Sequence, residues 1–254
     1  MSVRSFDPAP VLGHQSVVGA AASPTADPPV GVPFTRARPC EEGIAAVARA
    51  VRDGDVKAGG PATLRCAEIL REELGAPAVL MLGSCTAALE LSALLLGIEP
   101  GDEVIMPSYG YASAANAFVL RGATPVFVDI VPGTLAIDPL EVRAAVTDRT
   151  RAIVVVHYAG VAADMDALEN IAAEHDLAIV EDAAQAIGAT HRGRPLGGIG
   201  ALGAFSFDAT KNLTCGAGGA LVVNDPDLVE RAEWLRDCGT DRAGFMRGES
   251  SRYE

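Results

Sequence analysis

All but two of the 20 cationic residues in this chain are arginines; the exceptions are Lys57 and Lys211. Arginine serves a protein surface as well as lysine does, but it cannot supply a neutral amine at working pH, so a retained lysine is informative. Lys211 lies in Ser206-Phe207-Asp208-Ala209-Thr210-Lys211-Asn212, just before the glycine-rich run Cys215-Gly216-Ala217-Gly218-Gly219. A desolvated lysine there is a nucleophile suited to a Schiff base; the plain alternative is a surface side chain. A second group is Glu181-Asp182-Ala183-Ala184-Gln185, directly after an apolar run. A carboxylate at the end of a strand can pair with a protonated ring nitrogen, and either acid can equally cap the next turn. The third is Gly83-Ser84-Cys85-Thr86-Ala87-Ala88. Small residues allow a tight turn, and the N-terminus of the following helix attracts a phosphate, although Ser84 or Thr86 is also an ordinary N-cap. Tyr109 and Tyr111 add rings that suit either stacking or packing.

Each signal is weak alone, but a phosphate cradle, a ring-nitrogen carboxylate and an amine, each after a different apolar run, together match the needs of pyridoxal 5'-phosphate. The phosphate anchors that cofactor, the carboxylate keeps its ring cationic and the lysine holds its aldehyde carbon.

Periodicity predicts the elements that must position these groups. Strands are expected at Ala78–Leu82, Glu103–Met106, Thr124–Val128, Arg151–Val156, Leu177–Val180, Ala204–Phe207 and Ala220–Val223. Helices are expected at Glu41–Arg52, Ala62–Leu74, Thr86–Leu96, Ala112–Arg121, Pro139–Ala145, Met165–His175 and Pro226–Cys238. The alternation implies an α/β fold with a mostly parallel sheet and helices on both faces, whose ligands sit beyond the carboxyl ends of the strands. Gly239 to Glu254 is polar and lacks periodicity. Residues 1–33 hold six of the 16 prolines and read as a mobile tail.

Composition narrows the function. A formal charge of −13 over 254 residues argues against nucleic acid or an anionic membrane as the partner. No apolar run approaches the ~20 residues of a membrane span, and the N-terminus lacks a signal-peptide pattern. Five scattered cysteines and four histidines suggest reduced thiols, no metal and a cytoplasmic setting. Gly198, Gly200 and Gly203 fit G-x-G-x-x-G, but no strand precedes them and no helix comes after, so a dinucleotide site is rejected.

The segments SCTAALELSALLLGIEPGDEVIMPSYGYASAANAFVLRGATPVFVDI, VVVHYAGVAADMD, VEDAAQAIGA, GAFSFDATKN, GGALVVND and GTDRAGFMRG closely resemble the DegT/DnrJ/StrS-type nucleotide-sugar aminotransferases. Within that family the resemblance is to transaminases of dTDP-4-keto-6-deoxyglucose that form the 4-amino-4,6-dideoxygalactose sugar. It implies the fold-type I pyridoxal-phosphate architecture, like that of aspartate aminotransferase, with residues 34–240 as the cofactor-binding large domain. It implies that Lys211 holds the cofactor and then shuttles a proton, and that Asp182 pairs with the pyridine nitrogen. Gln185 matches a residue near the ring hydroxyl, Cys85 and Thr86 the phosphate turn, Ser206 a further phosphate contact and Tyr111 the stacking ring. His157, Arg242 and Arg247 are candidate substrate contacts, each with a plain structural alternative. The implied reaction converts a 4-keto-6-deoxy nucleotide sugar to the 4-amino sugar, with L-glutamate as donor, in a homodimer. Two departures stand out: Ala217 replaces the glutamate of a Gly-Glu-Gly-Gly turn, and residues 241–254 match only the start of a C-terminal region. The alternative reading is therefore an inactive fragment, or a cofactor-binding regulatory module. Related sugar dehydratases replace the lysine by histidine, so Lys211 speaks against dehydration.

Overall fold

Apolar runs with few polar interruptions suit strands buried on both faces, and seven of them build one sheet in the computed structural model, which describes residues 40–57, 59–249 and 251. The tail expected over residues 1–33 lies outside the described residues. The strands are β1 (Ala78–Leu82), β2 (Glu103–Pro107), β3 (Thr124–Val128), β4 (Thr150–Val156) and β5 (Ala178–Asp182), then a small hairpin of β6 (Thr190–His191) and β7 (Arg194–Pro195), then β8 (Leu202–Ser206) and β9 (Gly219–Val223). The sheet order is β1-β9-β8-β5-β4-β2-β3. From β3 to β8 every neighbouring pair is parallel, while β9 runs antiparallel to both β8 and β1.

Eight helices lie among the described residues: α1 (Glu41–Arg52), α2 (Pro61–Leu74), α3 (Cys85–Leu95), α4 (Ser113–Val119), α5 (Pro139–Ala145), α6 (Met165–His175), α7 (Val229–Arg236) and α8 (Arg242–Arg247). Successive strand residues point to opposite faces, and the core divides accordingly. Ala152, Val154, Val180, Leu202 and Ala204 pack with Ala88, Leu89 and Phe118 from α3 and α4. Ile153, Val155 and Ile179 pack on the opposite face with Met165, Leu168 and Ile171 of α6. Helix α3 is buried along most of its length, as its run of alanine and leucine with few charges requires.

Two expectations needed correction. The helix expected at Pro226–Cys238 is a 3-10 turn, Pro226–Leu228, followed by α7; Asp225 caps it, as expected, by accepting from Asp227 N at 2.9 Å. The stretch after Gly239, expected to be aperiodic, contains α8, tied to α7 by an ion pair between Arg247 and Glu233 at 2.9 Å. That long-range contact is absent from any local pattern.

The parallel β5–β8 pair is reached through a tight crossing. A Cβ on Gly203 would stand 2.1 Å from the Gly197 carbonyl oxygen, a backbone atom that cannot step aside. Gly203→Ala is expected to destabilise the fold by about 1–3 kcal/mol or more. Gly133→Ala, at a position with nothing within 4 Å of the added carbon, should stay within about 0.5 kcal/mol. Denaturant unfolding of the two variants checks the contrast.

Candidate active site

Strand parity decides what the two adjacent acids do. On β5, Val180 and Asp182 share the face toward α3, and Ile179 and Glu181 share the other. On β8, Leu202, Ala204 and Ser206 lie on the same face as Asp182. Asp182 and Ser206 therefore meet on the α3 side, at the carboxyl ends of neighbouring parallel strands.

Glu181 is fully buried and turned away from that side. Its Oε2 accepts from Gly197 N at 2.8 Å and lies 2.9 Å from His157 Nε2; its Oε1 accepts from Ile199 N at 2.7 Å and Gly200 N at 2.6 Å. Ala163 N donates to His157 Nδ1 at 3.4 Å, which places the ring proton on Nε2, facing the carboxylate. Burial pushes the Glu181 carboxyl up, but the hydrogen bond and attraction of His157 and the N–H groups of Gly200 and Gly197 outweigh it, and the group sits below its ordinary value.

Asp182 has the opposite balance. Its Oδ1 accepts from Ala184 N at 3.1 Å, with the buried Cys85 Sγ at 4.0 Å. The hydrogen bonds of its carboxylate among the described residues are to Oδ1, and Asp182 lines a cavity of about 700 Å³. Burial pushes the carboxyl above its ordinary value, and Ala184 N–H, Lys211 and His157 offset this only in part. The Cys85 thiol is pushed far up by burial and then by Asp182, so it stays protonated.

Lys211 is half-buried and reaches the same cavity from the loop after β8. That loop is closed at its base by Phe207 N to Gly218 O, 2.9 Å, and Cys215 N to Phe207 O, 3.0 Å. Lys211 N donates to Asp208 O at 3.0 Å, and Thr210 N and Oγ1 donate to Asp208 Oδ1 at 3.0 and 2.8 Å. Opposite, Ser84 caps α3 by accepting from Ala87 N at 3.1 Å. The N–H groups of Cys85 and Thr86, in the first turn, have no acceptor within the helix. The loop and the turn touch: a Cβ on Gly219 would stand 2.3 Å from Ser84 C and 2.4 Å from Cys85 N. The glycines after Lys211 thus serve a close backbone approach, with Ala217 exposed at the turn.

The DegT/DnrJ/EryC1/StrS aminotransferase family matches residues 39–252. This chain belongs to that family. It is 46% identical over 178 residues to the spore coat polysaccharide biosynthesis protein SpsC of Bacillus subtilis, covering 70% of this chain and 46% of SpsC. Among solved structures, S. venezuelae DesV in complex with a ketimine intermediate is 45% identical at a TM-score of 0.74, covering 78% of this chain and 53% of DesV. DesI in the presence of its TDP-sugar product is 37% identical at a TM-score of 0.73, covering 81% of this chain and 52% of DesI. The chain spans about half the length of the curated relatives it matches. The family's α/β fold, a mostly parallel sheet clad by helices, is the fold seen here.

Against the residues expected for this family, the structure brings Lys211, Ser206, Asp182 and Gln185 to one cavity with Cys85, Thr86 and Tyr111. Tyr111 stands 78% exposed at its mouth. Gln185 Oε1 accepts from Ala159 N at 2.7 Å, so its amide is pinned to the turn after β4. His157 borders the cavity, but Glu181 and Ala163 occupy both ring nitrogens, which leaves no nitrogen for a substrate hydrogen bond. Arg242 and Arg247 do not line the cavity; Arg247 is committed to Glu233 and Glu249. Of Gly198, Gly200 and Gly203, set aside as a dinucleotide motif, only Gly200 donates its N–H to the buried Glu181, beside Gly197 just before the motif and Ile199 within it. Tyr158 escaped the sequence reading, although its place right after His157 at a strand end was the available signal. It pairs with Tyr109, ring centroids 4.7 Å apart and tilted by 52°, and its hydrogen bond pushes the Tyr109 phenol above its ordinary value.

The charges of the two acids make pH the natural probe. The depressed Glu181 value stabilises the fold above the ordinary carboxylate range and is lost as pH falls through it; the raised Asp182 value does the reverse, so its ionisation costs stability at neutral pH. In cofactor-free protein at about pH 8, Glu181→Gln should therefore lose about 1.5–3 kcal/mol and Asp182→Asn should raise the melting temperature. Both differences should narrow toward about pH 4, as thermal melts across that range will show. Separately, Tyr158→Phe should lower the pH at which Tyr109 ionises, read by ultraviolet difference titration.

Proposed function

We propose that this chain is the cofactor-binding portion of a pyridoxal-phosphate-dependent aminotransferase acting on a nucleotide sugar. The observation that carries the reading is the meeting of Lys211, Asp182 and the α3 N-terminus around one cavity, in a chain of an aminotransferase family. The residues suit the group. A buried acid lining the cavity wants a cationic ring N–H, and unpaired N–H groups at a helix start want a phosphate.

Pyridoxal phosphate, when bound, supplies a ring that serves as an electron sink. The first-turn N–H groups of Cys85 and Thr86, with the Ser206 hydroxyl, would bind its phosphate. Asp182 would accept from the protonated ring nitrogen, giving the charge that burial disfavours its partner. Gln185, its amide fixed by Ala159, would face the ring hydroxyl, and Tyr111 would cover a ring face. Lys211 Nζ would hold the aldehyde carbon and, as a free amine, would be the base that takes and returns a proton.

The substrate reading is a 4-keto-6-deoxy nucleotide sugar converted to its 4-amino form, with L-glutamate as donor, by a cytoplasmic homodimer. The TDP-sugar product of DesI and the polysaccharide role of SpsC support it. Borohydride reduction after mixing with pyridoxal phosphate, followed by peptide mapping, is expected to label Lys211; label elsewhere overturns the assignment. Lys211→Arg should abolish the label and slow amino transfer by about 10²–10⁴-fold or more. Labelled Lys211 without conversion of glutamate and the keto sugar would mark a cofactor-binding module instead.

A further inference from the structure

Two residues of the cavity wall, Tyr109 and Tyr158, are assigned no contact with the cofactor on the aminotransferase reading. Tyr109 comes after β2 and Tyr158 after β4, which are neighbours in the sheet, whereas Lys211 comes after β8, beyond β5. The two rings thus lie along the strand row on the side of Asp182 away from Lys211. They are paired with each other, and the backbone that carries them is closely packed. Tyr158 opens a turn whose Ala159 sits at φ 53° with its N–H held by Gln185. A Cβ on Gly160 in that turn would stand 3.3 Å from the Gln185 carbonyl oxygen. Gly110, between Tyr109 and Tyr111, lies against Val156, which a Cβ would meet at 3.3 Å. Ser108 and Ser113 add hydroxyls to the cavity lining.

The chemistry of this wall is selective. It offers aromatic rings, phenols and hydroxyls, and Lys211 is the only lysine or arginine among the described residues lining the cavity. A carboxylate or diphosphate is best held by a cationic fork, which this flank lacks. A neutral polyhydroxylated ring suits it: aromatic side chains offer a large apolar face with a polar tip, and phenols both donate to and accept from hydroxyls. We propose that Tyr109 and Tyr158 form the subsite for the sugar ring of the substrate, and so set specificity for the sugar rather than for its nucleotide or for the amino donor. The proposal rests on the aminotransferase reading for the presence of a sugar nucleotide.

The test measures binding, so it needs no turnover. Protein mixed with pyridoxal phosphate is titrated calorimetrically with dTDP, UDP and GDP, each free and as its glucose conjugate. The wild-type chain should bind at least one conjugate more tightly than the matching free nucleotide. Tyr158→Phe and Tyr109→Phe, which keep the rings, should each reduce that advantage about 2–12-fold, the worth of one neutral hydrogen bond. Affinity for the free nucleotide and for pyridoxal phosphate should stay unchanged. The proposal is overturned by a wild type that gains nothing from the glucose in any pair, by variants that weaken free nucleotide equally, or by variants that lose the cofactor. Lys211 labelling, read on the same samples, reports on the aminotransferase reading separately from these affinity ratios.

Discussion

A buried carboxylate with four hydrogen-bond partners holds the strand ends of this protein in register. Glu181 joins β5, which carries it, to the end of β4 through His157 and to the approach to β8 through the N–H groups of Gly197, Ile199 and Gly200. The three neighbouring parallel strands whose ends bear Asp182, Tyr158 and Ser206 are thus tied at one point behind the sheet. A buried charge is tolerated only when its partners are nearly complete, so this arrangement admits little slack. Removing one donor leaves an uncompensated anion in the core.

The front of the sheet is built on the opposite principle. Asp182, one residue along, has fewer hydrogen bonds and lines the cavity. Adjacent residues of one strand thus place a satisfied acid in the support and a more sparsely bonded one in the site. Burial raises the second above its ordinary value, and hydrogen bonds hold the first below it.

Most of the elements were legible because they are periodic and local. β1, β3, α1, α5 and α6 have the bounds their apolar spacing suggests. The residues bordering the cavity were legible too, because a parallel sheet brings the loops at its carboxyl ends together. What escaped depends on distant partners. The sequence leaves Glu181 and Asp182 indistinguishable; only the face each strand residue occupies separates them. The glycine pattern from 198 fits a nucleotide loop, yet the N–H groups of Gly197, Ile199 and Gly200 are spent on an internal anion. His157 looked available until both ring nitrogens had their partners. α8 is a single short helix whose ion pair to α7 joins residues 14 apart in the chain, beyond any local pattern.

The placement of β9 bears on how the chain reaches this state. β1 pairs with the rest of the sheet only through β9, where Ala78 pairs with Val223 and Leu82 with Gly219. During synthesis β1 must therefore wait for β9 before it finds its place. Contacts between such distant parts of a chain are slow to form, so a nascent chain can pair its parallel strands before β1 has a place in the sheet. A ribosome-bound intermediate of that kind would expose the edge of β8 to chaperones until Gly219 emerges.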